Sequence, residues 1–178
     1  MKNRIICLFL TLICTLCAYA QTTILGIPVG ETYSNAELSL IKRYGLKCSP
    51  ENGKLKLYDF EMGGLSFQYG ELDFQWTGGT GRLSSAMFQD WVSKKHLGKL
   101  KEKRDYLRKL FEEKYIVLDD TNDQGFKCFY FYGVPENGIK MMGSVEIRQG
   151  PGKDDVNRYY LLLYYFPKAD FIQQGSDF

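Results

Sequence analysis

Histidines, cysteines and converging carboxylates are the side chains from which most catalytic and metal sites are assembled, and this chain of 178 residues spaces them thinly. His96 is the sole histidine, set in the basic stretch Lys94-Lys95-His96 with no motif partner, so it reads as exposed or structural. No cluster with metal-ligand spacing can be drawn from one histidine and a few scattered cysteines. Glu71 and Asp73, two apart on a strand-like segment, point the same way and could work as an acid and a base, with Glu61 as a third carboxylate. Carboxylates on the solvated side of a sheet have that same spacing. Asp119, Asp120, Asn122 and Asp123 suggest calcium but lack the glycine at the sixth position and the glutamate at the twelfth of a helix-loop-helix site. Gly78-Gly79-Thr80-Gly81 and Gly150-Pro151-Gly152 are not followed by a Lys-Ser/Thr pair opening a helix, so they read as hairpin turns rather than phosphate loops. The expectation is a chain with no catalytic residues, no metal and no cofactor.

The first twenty residues carry a clearer message. Lys2 and Arg4 form a basic head, Ile5 to Leu16 an apolar run, and Ala18-Tyr19-Ala20 places small residues at −3 and −1 of a cut before Gln21. This is the pattern of a cleaved export signal, which puts the mature chain in the periplasm or outside the cell. Lipid attachment fits less well, because Cys14 follows Ile13 and Cys17 follows Leu16 where that processing needs a small residue. No later run approaches the ~20 apolar residues of a membrane span. Of the five cysteines only Cys48 and Cys128 lie beyond the cut. In an oxidising compartment two thiols suggest a single bridge, with free buried cysteines as the other possibility.

Charge and aromatic content bear on partners. Without Lys2 and Arg4 the chain has 21 basic residues against 21 acidic ones, so nothing draws it toward nucleic acid or an anionic membrane. Basic residues nevertheless crowd between Lys94 and Lys109, and Lys95, Lys99, Lys103 and Arg108 are the candidate basic face of a helix. Aromatic residues make up 15% of the chain and concentrate on strand-like segments. Tyr69, Trp76, Tyr130 and Tyr132 are the candidate partner-binding aromatics, suited to a protein or carbohydrate because such rings combine large contact area with a polar handle. Oligomeric state is not legible.

The elements that position these residues read as an α+β fold built from two related units. Arg43-Tyr44 at the end of one helical pattern corresponds to Lys114-Tyr115 at the end of another, each followed by a polar loop closing on Gly53 or Gly125 and then a strand, Lys54 to Phe60 or Phe126 to Tyr132. Gly70 to Gln75 corresponds to Gly143 to Arg148. The expected layout is a signal at 1–20, a helix-plus-sheet unit at 21–93, a second at 94–172 and a loose tail at 173–178, with helices on one face of a combined antiparallel sheet. In the first unit Ser34 and Glu37 form a capping box, Leu38, Leu40, Ile41 and Tyr44 share one side of a short helix, and Gly45 ends it. Strands follow at about 54–61, 64–69 and 71–77. Residues 82–92 fit either a helical stripe or a strand. A helix running on from Ser84 to Tyr115 would be about 48 Å long, and the repeat pairs Arg82-Leu83 with Arg158-Tyr159, so a strand is expected. The second unit has a helix near Lys95 to Tyr115 and strands at about 126–132, 140–148 and 158–166.

The entry Leu25-Gly26-Ile27-Pro28-Val29-Gly30, the short capped helix and strands after it, and the ending Phe111-Glu112-Glu113-Lys114-Tyr115 resemble a group of uncharacterised small exported proteins of Gram-negative gut bacteria. The helix-then-strands duplication is also similar in layout to the β-lactamase inhibitor protein, in which two repeats build one curved sheet. No matching inhibitory loop is present, so the likeness implies architecture and not inhibition. Together these point to a non-catalytic binding or structural module of the cell envelope. The alternative is a small envelope hydrolase with a carboxylate site.

Overall fold

A computed structural model describes residues 23–133, 138–150 and 158–166. The expected export signal and C-terminal tail lie outside the described residues. The fold is α+β and dominated by one antiparallel sheet. A small hairpin of β1 (Thr23–Ile24) and β2 (Ile27–Pro28) leads into helix α1 (Tyr33–Tyr44), then β3 (Cys48–Glu51), β4 (Lys54–Met62), β5 (Leu65–Thr77) and β6 (Thr80–Ser93). Helix α2 (Leu97–Glu112) follows, with β7 (Ile116–Thr121), β8 (Lys127–Gly133), β9 (Lys140–Gly150) and β10 (Arg158–Tyr165). The large sheet has the order β3-β4-β5-β6-β10-β9-β8-β7, so each half forms a meander and the halves meet where β6 pairs with β10.

Turn chemistry fixes the first meander. Asn52-Gly53, Gly63-Gly64 and Gly78-Gly79 each place two consecutive residues at positive φ, the geometry whose twist matches paired strands. Inward side chains then fill a single core with the helices: Leu55, Leu72, Leu83, Phe131, Ile147 and Leu161 are wholly buried against Ala36 and Leu40 of α1 and Leu100 and Leu107 of α2. Residues 82–92 are strand, pairing with β5 up to Gln89 and with β10 from Ala86 on, because Leu83, Ala86 and Phe88 fill the core from one face.

Several boundaries depart from the sequence reading. Helix α1 is capped by Thr32, whose hydroxyl accepts from the Asn35 amide at 3.4 Å, and not by Ser34. The cause is tertiary: Gly30 donates to the Leu83 carbonyl at 2.7 Å and Leu83 to the Glu31 carbonyl at 2.8 Å, so the incoming chain is stitched to β6 and the helix starts earlier. With that start Ala36 and Leu40 are buried, while Leu38 and Ile41 stand 68% and 42% exposed. The segments 64–69 and 71–77 form one strand, β5. Asp119 and Asp120 lie on β7, an edge strand the sequence reading did not find. Asn122 completes the following turn, its side-chain oxygen accepting from the amides of Gln124 and Phe126 and its amide donating to the Ile147 carbonyl at 2.8 Å. That side chain is committed to the turn, not to calcium.

Candidate functional site

The sheet face away from the helices is one candidate surface. Alternation puts Met87, Gln89 and Trp91 of β6 on it beside Tyr164, Leu162 and Tyr160 of β10, in the pairs Met87 with Tyr164, Gln89 with Leu162 and Trp91 with Tyr160. None of the six is charged. Tyr160 also lies over Gly150, where an added methyl would sit 3.0 Å from the ring, so the missing side chain leaves room for the aromatic. Burial pushes the Tyr164 phenol above its ordinary value.

Charges flank this strip and satisfy one another. On one side Lys54 reaches Glu71 at 2.6 Å and Asp73 at 2.8 Å, and Lys56 reaches Glu51 at 2.7 Å. On the other, Arg148 reaches Glu146 at 2.9 Å and Asp123 at 3.2 Å. Burial pulls the Glu71 carboxyl upward, but hydrogen bonds from Lys54 and the Tyr69 hydroxyl outweigh it and hold the acid below its ordinary range. Glu71 is therefore a locked anion rather than a proton donor, and Lys54 ties Asp73 to the same cation.

The four aromatic candidates do not form one patch. Tyr69 sits on the open face with its ring 5.5 Å from Tyr58. Tyr130 lies on the same face across Leu118 and Ser144, and alternation from buried Phe131 places Tyr132 there as well. Trp76 shares the parity of Leu72 and Phe74, so it is on the helix side, 5.5 Å from Tyr33, half exposed and lying over Gly53 and Gly81. The sequence reading missed Trp91 and Tyr160 as candidates because adjacency across β6 and β10 joins residues about seventy apart in the chain.

The basic face is only partly basic. Lys95 and Lys99 are exposed, but Arg108 is held by Asp119 at 2.7 and 2.8 Å and by Glu112 at 2.7 Å. Lys103 turns inward: its ammonium bonds the Asp90 carboxylate and the Ser66 carbonyl and lies 3.6 Å from the centre of the Phe67 ring. Positions 100, 103, 104 and 107 share one helical stripe, which is why Lys103 and Arg104 are drawn in with Leu100 and Leu107. Burial lowers the Lys103 ammonium from its ordinary value, against the opposing pull of Asp90.

This inward lysine marks a second candidate site. Asp59, in a left-handed conformation at φ 47°, breaks alternation so that both Leu57 and Phe60 face the core. The β4–β5 hairpin tip leaves the sheet there. Beyond the pair Tyr69 with Gln89, ladder bonds to β6 are replaced by side chains, the Asp90 carboxylate accepting from the Gln68 amide at 2.9 Å and the Gln68 side chain from the Trp91 amide at 2.6 Å. The hairpin and the end of α1 enclose an open groove of about 510 Å³, lined by Arg43, Lys47, Asp59, Glu61, Gln68 and Asp90 among others. Its residues come from three distant segments, so no local motif announces it.

Cys48 and Cys128 are free thiols, contrary to the bridge expected. Cys48 is on edge strand β3 and Cys128 on β8, six strand positions apart, or about 29 Å along the sheet at 4.8 Å per step. A bridge needs Cα atoms within ~7 Å. Both are buried, which pushes each thiol up and makes it a poor nucleophile. Thiol titration of denatured, unreduced protein is expected to return both groups; a count of zero would contradict this geometry.

Among the described residues no group of three or more His, Cys, Asp or Glu side chains is placed to hold a metal ion, and no helix is long and apolar enough to cross a membrane. No protein-family model, curated protein or solved structure matches the chain.

Proposed function

We propose that this protein is an exported, non-catalytic binding module of the cell envelope that holds a protein or carbohydrate partner on the sheet face opposite its helices. The observation that carries the reading is the uncharged strip Met87-Gln89-Trp91 and Tyr160-Leu162-Tyr164, flanked by ions already paired with one another. Such a strip can bury area without stripping water from unpaired charges, and its tyrosine, tryptophan and glutamine groups supply hydrogen bonds for orientation. The two-unit layout belongs to the same proposal. One helix followed by four strands occurs twice, and the sheet order runs outward from a central seam in both directions, which supports a duplication like that of the β-lactamase inhibitor protein.

Isotope-labelled protein spanning residues 21–178, titrated with solubilised envelope protein and envelope polysaccharide in separate series, tests this. The Trp91 indole and Tyr160 resonances are expected to move in one series, and Trp91→Ala with Tyr160→Ala to weaken that binding about tenfold or more. Shifts confined to Asp59 and Glu61 would move the site to the groove.

The hydrolase alternative draws its support from that groove, where Asp59, Glu61 and Asp90 share one wall space. Turnover of chromogenic ester or glycoside substrates, abolished in an Asp59→Asn, Glu61→Gln variant, would favour it over binding.

A further inference from the structure

The tip of the β4–β5 hairpin is fastened differently from the rest of the sheet. Tyr58 pairs with Tyr69 and Phe60 with Phe67, but the level between them, Asp59 and Gln68, carries no ladder pair, and Asp59 is held at φ 47°. Both strands therefore change course at one level. Beyond the pair Tyr69 with Gln89, β5 makes no further ladder pair with β6, so among the described residues Phe60 to Phe67 pairs only with itself. Side chains fasten the tip instead. Tyr44 at the end of α1 donates to the Glu61 carbonyl at 3.3 Å, Lys47 just beyond it to the Asp59 carbonyl at 2.5 Å, and Lys103 of α2 to the Ser66 carbonyl. Apolar contact completes the closure: the wholly buried rings of Phe60 and Phe67 each stand 5.8 Å from that of Phe88 on β6.

We propose that Phe60 to Phe67 is a hinged flap that swings about Asp59 and Gln68 and controls access to the groove between it and the end of α1, while the rest of the sheet stays paired. The balance of forces makes this the part that opens. The ties from Tyr44 and Lys47 lie at the surface, where water replaces them at little cost. Lys103 with Asp90 is a buried ion pair, and such a pair holds weakly against an alternative in which both ions regain water. No ladder rung between the tip and β6 has to break, because the amides that bond across the gap, Gln68 and Trp91, each do so to a side chain. The resistance comes from burial of Phe60 and Phe67. Opening carries both rings away from Phe88, so the groove gains aromatic walls that it lacks when shut. The flap is independent of the uncharged strip, which faces away from the helices.

Native-state hydrogen exchange on isotope-labelled protein spanning residues 21–178 tests the hinge, with the Gln68 and Trp91 amides read against the ladder amides of Gly70 to Leu72. In rising, sub-denaturing urea the Gln68 and Trp91 amides should exchange through an opening whose urea slope is above zero and clearly below that of the ladder amides, with protection about tenfold lower or more. Lys103→Met keeps an apolar stem against Phe67 but removes the tie to Ser66 and Asp90. It should speed exchange at Gln68 and Trp91 about tenfold or more and move the ladder amides less. A slope near zero would mean that two bonds fray without the flap moving, and would overturn the proposal. A slope equal to that of the ladder would mean that the tip opens only when the whole sheet does, and would overturn it equally. Equal acceleration of all these amides by Lys103→Met would make Lys103 a core contact and overturn its part as the latch.

Discussion

Gly143→Ala is expected to destabilise the protein by about 3 kcal/mol or more, at or beyond the upper end of the usual cost of overpacking. Gly143 lies mid-strand in β9, opposite Phe131 on β8 and Tyr165 on β10. A methyl there would overlap the Tyr164 carbonyl oxygen and the Phe131 ring. The ring cannot swing clear, because Phe111 stacks 4.2 Å from it and Tyr115 and Tyr165 flank it at 5.3 and 6.0 Å. The carbonyl can move only with the β9–β10 ladder. For a chain of this size the melting temperature should fall by roughly 6 to 12 °C. Adding Phe131→Leu makes room beside the ring but not beside the backbone, so it should recover only part of the loss. A drop under ~1 kcal/mol would mean that the two ladders around Gly143 are looser than their register implies.

The second large effect is expected at Asp90. Its carboxylate neutralises Lys103 and accepts from the Gln68 amide, and both charged side chains are only 13% exposed. Asp90→Ala leaves an ammonium against the Phe67 ring without its counter-ion and an amide without its acceptor, at a cost of about 3 kcal/mol by analogy with other broken buried pairs. Asp90→Leu with Lys103→Met removes both charges and should cost clearly less than the two single changes combined. Chemical denaturation of the wild type, Asp90→Leu, Lys103→Met and the double variant decides it. Additive losses would show that the pair contributes nothing as a pair.

How much of this was legible in the sequence depended on whether the cause was local. The glycine turns at Gly53 and at Gly78 to Gly81, the strands at 54–61 and 158–166, and the helix near Lys95 are short-range signals, and each appears close to where it was read. Residues 82–92 were decidable only by length and by analogy between the halves, since the same apolar residues satisfy either period. Other features have distant causes. Thr32 became the helix cap because of β6, Leu38 and Ile41 became exposed for the same reason, and Lys103 turned inward because its counter-ion Asp90 lies beneath it on β6. Pairing Cys48 with Cys128 was an argument from an expected compartment alone, and sheet order placed them toward opposite sides. The open strip was invisible for the same reason: Trp91 and Tyr160 meet only through the central ladder.

That ladder also sets an order of events. Eight pairs between Ala86–Ser93 and Arg158–Tyr165 join two meanders that are otherwise made of neighbours in sequence. The first meander can zip up as its hairpins appear, but β6 then waits through α2 and three further strands with one side open, since β10 comes after all of them. A chain interrupted before Arg158 would display a fourteen-residue strand with an unpaired flank bearing Met87 and Trp91. For a protein expected to be threaded through a membrane from its N-terminus, the interval between the arrival of β6 and that of β10 is when it is most exposed to mispairing, and when a holding factor would have most to protect.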